Sequence, residues 1–89
     1  MHTVKDKAKL LTRVRRIQGQ IAALEKQLGQ DEDCAAVLQQ IAAIRGAVNG
    51  LMASVLEGHL TDHIVNEADQ QQRQEELGVI MQVVKSYLK

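Results

Sequence analysis

Four side chains in this sequence bind soft or borderline metals well: His2, Cys34, His59 and His63. His59 and His63 are four residues apart, a spacing that sets two imidazoles on one face of a helix. Cys34 lies 25 residues before His59. At about 100° per residue this is about 2500°, or roughly 20° short of seven turns, so a continuous helix puts the thiol on the face of the imidazoles. The same stretch separates them by about 38 Å along the axis, against metal bonds of about 2.0 to 2.3 Å. One helix therefore cannot gather them. Two copies packed antiparallel about a two-fold axis can, because Cys34 of one chain then comes level with His59 and His63 of the other and symmetry creates the site twice. On spacing alone, an inert buried cysteine and ordinary packing or surface histidines are the plain alternative.

The donor types narrow the chemistry. Thiolate and imidazole suit zinc, nickel(II), cobalt(II) or copper, and exclude the carboxylate-rich sites of magnesium and calcium. His2 sits next to the terminal amine and adds two nitrogen donors if the N-terminus folds over the dimer. More than four donors then favours octahedral nickel or cobalt over tetrahedral zinc. Cys34 falls in a first helical turn, where the dipole favours thiolate while Glu32 and Asp33 oppose it. Arg45 and Asn49 lie midway along the same stripe, suited to a hydrogen bond that sets register.

Three helices must position these groups. From Lys5 to Leu28, Leu10, Val14, Ile17, Ile21, Leu24 and Leu28 repeat at intervals of 4, 3, 4, 3, 4, the seam of an amphipathic helix. Gly29 predicts its C-cap and Asp31 the N-cap of the next helix, so the two form a tight hairpin. The second helix spans about Glu32 to Val65, with Val37, Ile41, Ile44, Val48, Leu51 and Val55 in the same rhythm and a second stripe of Leu38, Ala42, Met52 and Leu56. At 1.5 Å per residue such a helix is about 50 Å long. Gly46, Gly50 and Gly58 lower its helicity but permit close approach. A third helix, from about Asp69 to Leu88, offers Leu77, Ile80, Met81, Val84, Tyr87 and Leu88 as one face.

Composition agrees. The 89 residues contain no Pro, Trp or Phe and a single Tyr, too few core-building residues for a self-sufficient monomer of this size. An all-α protomer, forming a single domain over residues 1–89 and seeking partners, is expected. No apolar run reaches the roughly 20 residues of a membrane span, and no apolar stretch follows the basic N-terminal residues, so a cytoplasmic, soluble chain is expected. The single cysteine excludes an intrachain disulfide. The net charge of zero hides a split: residues 1–26 carry seven basic and two acidic residues, residues 27–89 four basic and nine acidic. Lys5, Lys9, Arg13 and Arg16 form a stripe beside the first seam, with Lys7 and Arg15 nearby, and a solvated face is the plain reading of it. An anionic partner such as DNA is the functional one. No helix-turn-helix or stacking aromatic is present, so DNA shape would count as much as base contacts.

Cys34-Ala-Ala-Val-Leu-Gln-Gln-Ile-Ala-Ala-Ile-Arg-Gly-Ala-Val-Asn-Gly-Leu-Met52, followed by Gly58-His59-Leu-Thr-Asp-His63-Ile, closely resembles the CsoR/RcnR/FrmR family of bacterial transcriptional repressors. The likeness runs from Asp6-Lys7 through Ile17-Gln18-Gly19-Gln20 to Ser86-Tyr87-Leu88-Lys89. It implies an antiparallel dimer around the long helix, a disc-shaped homotetramer built as a dimer of dimers, and operator DNA released when an inducer binds. The ligand pattern His2, Cys34, His59, His63 is that of nickel and cobalt sensors of the RcnR type. Copper(I) sensors have a cysteine in place of His63, and formaldehyde sensors a proline in place of His2 and typically an acid in place of His63. Leu11-Thr-Arg-Val-Arg-Arg-Ile17 looks more like the formaldehyde branch. Asp62 stands where RcnR-like proteins have another acid.

The expected function is thus a metal-binding repressor: Lys5, Lys9, Arg13, Arg15 and Arg16 touch DNA, and nickel(II) or cobalt(II), with zinc also fitting, acts as inducer of a metal efflux gene. A formaldehyde-responsive repressor using Cys34 and the terminal amine is the alternative within the fold, and a metal storage or delivery protein without DNA binding the alternative outside it. No acid and nucleophile pair or phosphate-binding glycine loop suggests an enzyme.

Overall fold

A computed structural model describes residues 4–30 and 33–89, with side chains from Asp6 onward. Asp31, Glu32 and His2 therefore lie outside the described residues, as does the Lys5 side chain. The helices are α1 (Val4–Gly29), α2 (Cys34–Leu60) and α3 (Gln70–Tyr87), with a π-helical turn at Thr61–Val65 continuing α2. There is no strand among the described residues. The chain divides into two compact units, residues 1–55 and 56–89.

In the first unit α1 runs antiparallel to α2. Gln40 Nε2 donates to the Gln20 carbonyl at 3.0 Å, and the Arg13 guanidinium lies against Gly50, so seven residues back along α1 correspond to ten forward along α2. Leu10 and Ile17 are buried, with Val14 and Leu24 half-buried. The lower part of the seam departs from expectation, since Ile21 and Leu28 are exposed. α1 ends at Gly29 as predicted, but Gly29 is its last helical residue and does not adopt the left-handed cap conformation. The first bond of α2 runs from the Val37 N–H to the Asp33 carbonyl, 3.1 Å, which makes Asp33 the residue flanking the helix. No residue of α2 is buried, and Leu38, Ile41 and Val48 stand exposed. A hairpin of two helices has too little surface to cover both apolar stripes of the longer one.

The second unit holds the end of α2, the π turn and α3. Asp69, the expected start of the third helix, caps α3, its side chain accepting from the Gln71 N–H at 3.1 Å. Arg73 Nη1 donates to the Glu67 carbonyl at 2.7 Å and fastens the connection ahead of the helix. The packed face of α3 keeps Ile80 and Val84 of the one apolarity suggests and replaces the rest. Ile80 is buried and Arg73, Glu76 and Val84 are half-buried, while Leu77, Met81, Tyr87 and Leu88 are exposed, together with Val79 and Val83. At about 100° per residue, Arg73, Glu76, Ile80 and Val84 fall within one arc of about 80°, with Leu77, Met81 and Leu88 on one side of it and Val79 and Val83 on the other.

Candidate metal-sensing and nucleic-acid sites

Imidazole chemistry concentrates in the second unit. His59 is the penultimate residue of α2 and His63 the middle residue of the π turn. The Asn66 N–H donates to the Thr61 carbonyl at 2.9 Å, the five-residue bond that defines this wider turn. Residues four apart in an α-helix are offset by about 40°, and a turn holding more residues reduces that offset, bringing the two rings more nearly one above the other. Their centroids are 4.4 Å apart with planes tilted by 37°. Asp62, in the same turn, is half-buried.

Glu76 of α3 completes this arrangement. Its Oε2 lies 2.9 Å from His59 Nε2, both side chains 31% exposed. A carboxylate accepts, so His59 Nε2 is the donor in this pair. A carboxylate on the outer nitrogen of a ligand histidine fixes its tautomer and orientation. Glu76 is the partner of His59 that sequence reasoning missed: it is 17 residues away, and no local spacing signals the pairing.

Cys34 is the first residue of α2 and its thiol is exposed. Among the described residues no three His, Cys, Asp or Glu side chains cluster to hold a metal; the chain brings His59 and His63 together and holds Cys34 at the other end of the same helix. On α1, Lys9, Arg13, Arg15 and Arg16 are all exposed. Lys5 lies in the same helix. Among the described residues of the chain no helix backbone closes on Gly46 or Gly50: a Cβ at Gly50 would meet only the tip of the Arg13 side chain, Nη1 at 3.1 Å, and at Gly46 nothing lies within 4 Å.

Over residues 6–86 the sequence matches the metal-sensitive transcriptional repressors, the family to which this chain belongs. Among its relatives is the transcriptional repressor RcnR of Salmonella typhimurium, 59% identical over 88 residues, which cover 99% of this chain and 98% of that protein. RcnR of Escherichia coli O9:H4 is 58% identical with the same coverage. Two solved structures share the fold. A variant of the formaldehyde-responsive regulator FrmR from Salmonella enterica serovar Typhimurium superposes with a TM-score of 0.92 at 48% identity, covering 98% of this chain and 99% of that one. The copper-sensing repressor CsoR with Cu(I), from Geobacillus thermodenitrificans, gives 0.91 at 25% identity, covering 100% and 93%. No helix among the described residues is long and apolar enough to cross a membrane.

Proposed function

We propose that the protein represses transcription by binding operator DNA in its metal-free form and leaves the operator when nickel(II) or cobalt(II) binds, so that a metal efflux gene is expressed. Residues 1–89 act as one repressor domain in the cytoplasm, where the DNA is. The observation that carries this reading is the His59–Glu76 bond of 2.9 Å with His63 stacked on the same ring. It supports a reading in which the two imidazoles bind the ion and Glu76 orients the first of them.

Cys34 from a second protomer supplies the thiolate in this reading, with His2 and the terminal amine as further donors. The exposed apolar residues of α2 are the surface for an antiparallel dimer, and two dimers form the tetramer. Lys5, Lys9, Arg13, Arg15 and Arg16 contact phosphates. Four copies of a segment with a net charge of five give about +20, enough for a steep salt dependence. Metal binding at the seam between protomers favours an assembly that fits DNA poorly, with a coupling of about 1 to 3 kcal/mol, and by reciprocity DNA weakens metal binding by the same factor. The donor set also accommodates zinc, whereas His63 in place of a second thiolate disfavours a copper(I) site.

One observation favours a second reading, release when the Cys34 thiolate adds to formaldehyde and the terminal amine displaces water from the adduct to form a methylene bridge: the 48% identity and close superposition with FrmR. The two separate in one experiment. A promoter fragment that the metal-free protein retards is followed by fluorescence anisotropy while nickel, cobalt, zinc, copper(I) and formaldehyde are added singly. Release by nickel or cobalt, with a cobalt(II) absorption spectrum reporting its coordination number, is expected. Release by formaldehyde alone overturns the metal reading.

A further inference from the structure

Gly50 and Arg13 are 37 residues apart in sequence and meet across the hairpin. The Arg13 side chain is exposed, yet its Nη1 lies 3.1 Å from the point a Cβ on residue 50 would occupy. That is closer than an ordinary carbon–nitrogen contact, and it occurs because residue 50 has no side chain. Gly46, one turn earlier on the same helix, has nothing within 4 Å of the equivalent point, and neither does Gly19 on α1. Glycine in mid-helix lowers helix propensity relative to alanine. At Gly46 and Gly19 no neighbour of the chain offsets that cost; at Gly50 an arginine head occupies the space.

The consequence follows from the geometry of guanidinium. Its planar fork recognises phosphate best when held in one orientation, because a long free side chain must be ordered on binding. A guanidinium resting on the backbone of a helix has part of that ordering done in advance. We propose that Gly50 is a positioning residue for DNA binding: by lacking a side chain it seats the Arg13 guanidinium against α2 and so sets where this cation meets the phosphates. The proposal rests on the reading of Arg13 as a DNA contact.

Substituting Gly50 tests it without unfolding the hairpin. A methyl at residue 50 meets the far end of a flexible side chain, which moves aside at little cost, and alanine raises the helix propensity of α2. The full chain is titrated against the retarded promoter fragment at several salt concentrations as Gly50→Ala, Gly46→Ala, Arg13→Ala and the Gly50→Ala/Arg13→Ala double variant. Urea unfolding and sedimentation velocity report fold and assembly. Gly50→Ala should weaken DNA binding at least about twofold, the lower end for coupled neighbours, and flatten the salt dependence as Arg13→Ala does. Gly46→Ala should bind as the parent does, and Gly50→Ala should add nothing once Arg13 is alanine. Parent-like binding by Gly50→Ala beside a weakened Arg13→Ala overturns the positioning role alone. So does an equal loss on adding Gly50→Ala to Arg13→Ala, or a loss accompanied by altered assembly with an unchanged salt slope. If Arg13→Ala itself leaves affinity and slope unchanged, the phosphate-contact reading fails, and the positioning role with it.

Discussion

The two units of this chain distribute polarity in opposite ways. In the first, the cations of α1 are exposed while the residues buried beneath them are Leu10 and Ile17. In the second, ionisable side chains turn inward: His59, His63, Arg73 and Glu76 are half-buried, and Leu77, Val79, Met81 and Val83 are exposed. Exposed cations suit a long polyanion met by diffusion, since counterion release draws on their charge. A metal site needs ligands held close to their bonding positions, and hydrogen bonds such as His59–Glu76 hold them. On the proposed function, sensing falls to the inward-facing polar groups and contact with DNA to the outward-facing ones.

The strongest way to break that division is to remove the thiol. Cys34→Ala should abolish release by metal while leaving DNA binding of the metal-free protein intact, read by anisotropy with and without nickel. Normal release by every metal tested would mean that the site does not draw a ligand from Cys34. Next in size, Glu76→Ala should lower metal affinity by about 10- to 100-fold, the usual cost of losing the outer partner of a ligand histidine. DNA affinity without metal should stay unchanged. A competition titration with a chromophoric chelator measures the first quantity; a parent-like affinity would reduce the His59–Glu76 bond to a packing contact.

On the other side of the comparison, Arg16→Ala should weaken DNA binding at every sequence and make its salt dependence shallower, by about one in the log–log slope for each phosphate that is no longer neutralised. Metal affinity in the absence of DNA should not move. A loss of affinity with an unchanged slope would instead point to a base contact or an altered fold.

Much of this arrangement is legible in the sequence, and the exceptions have a common cause. The 4, 3, 4, 3, 4 rhythm of Leu10 to Leu28 gives α1, the same rhythm from Val37 gives α2, and Asp69 gives the start of α3. The pairing of His59 with His63 follows from their spacing. What spacing does not reveal is the π turn beneath them, because one extra residue per turn leaves the local pattern of residue types unchanged. Nor does it reveal Glu76, whose partner is distant in sequence, or the inward face of α3. Periodicity ranks helix faces by apolarity, and it selects Leu77 and Met81; it carries no information on which face packs within the chain, and Arg73 and Glu76 fill that place.

The smallest expected effect concerns where the first unit departs from its own pattern. Gln20 and Gln27 are one heptad apart on α1 and Arg13 is one heptad earlier, so a polar stripe runs beside the apolar seam. The side-chain oxygens of both glutamines are buried, and no donor among the described residues reaches them. A buried carbonyl left without a donor costs about 1 to 3 kcal/mol, while an apolar replacement of similar shape removes that cost. The bond from Gln40 goes to the backbone carbonyl of Gln20 and survives a change of side chain. Gln20→Leu should therefore stabilise the protein by about 1 kcal/mol, seen as a higher urea midpoint at unchanged slope. A lower midpoint would mean that this oxygen finds its donor on another protomer, and would move Gln20 from the packing of the hairpin to the assembly of the repressor.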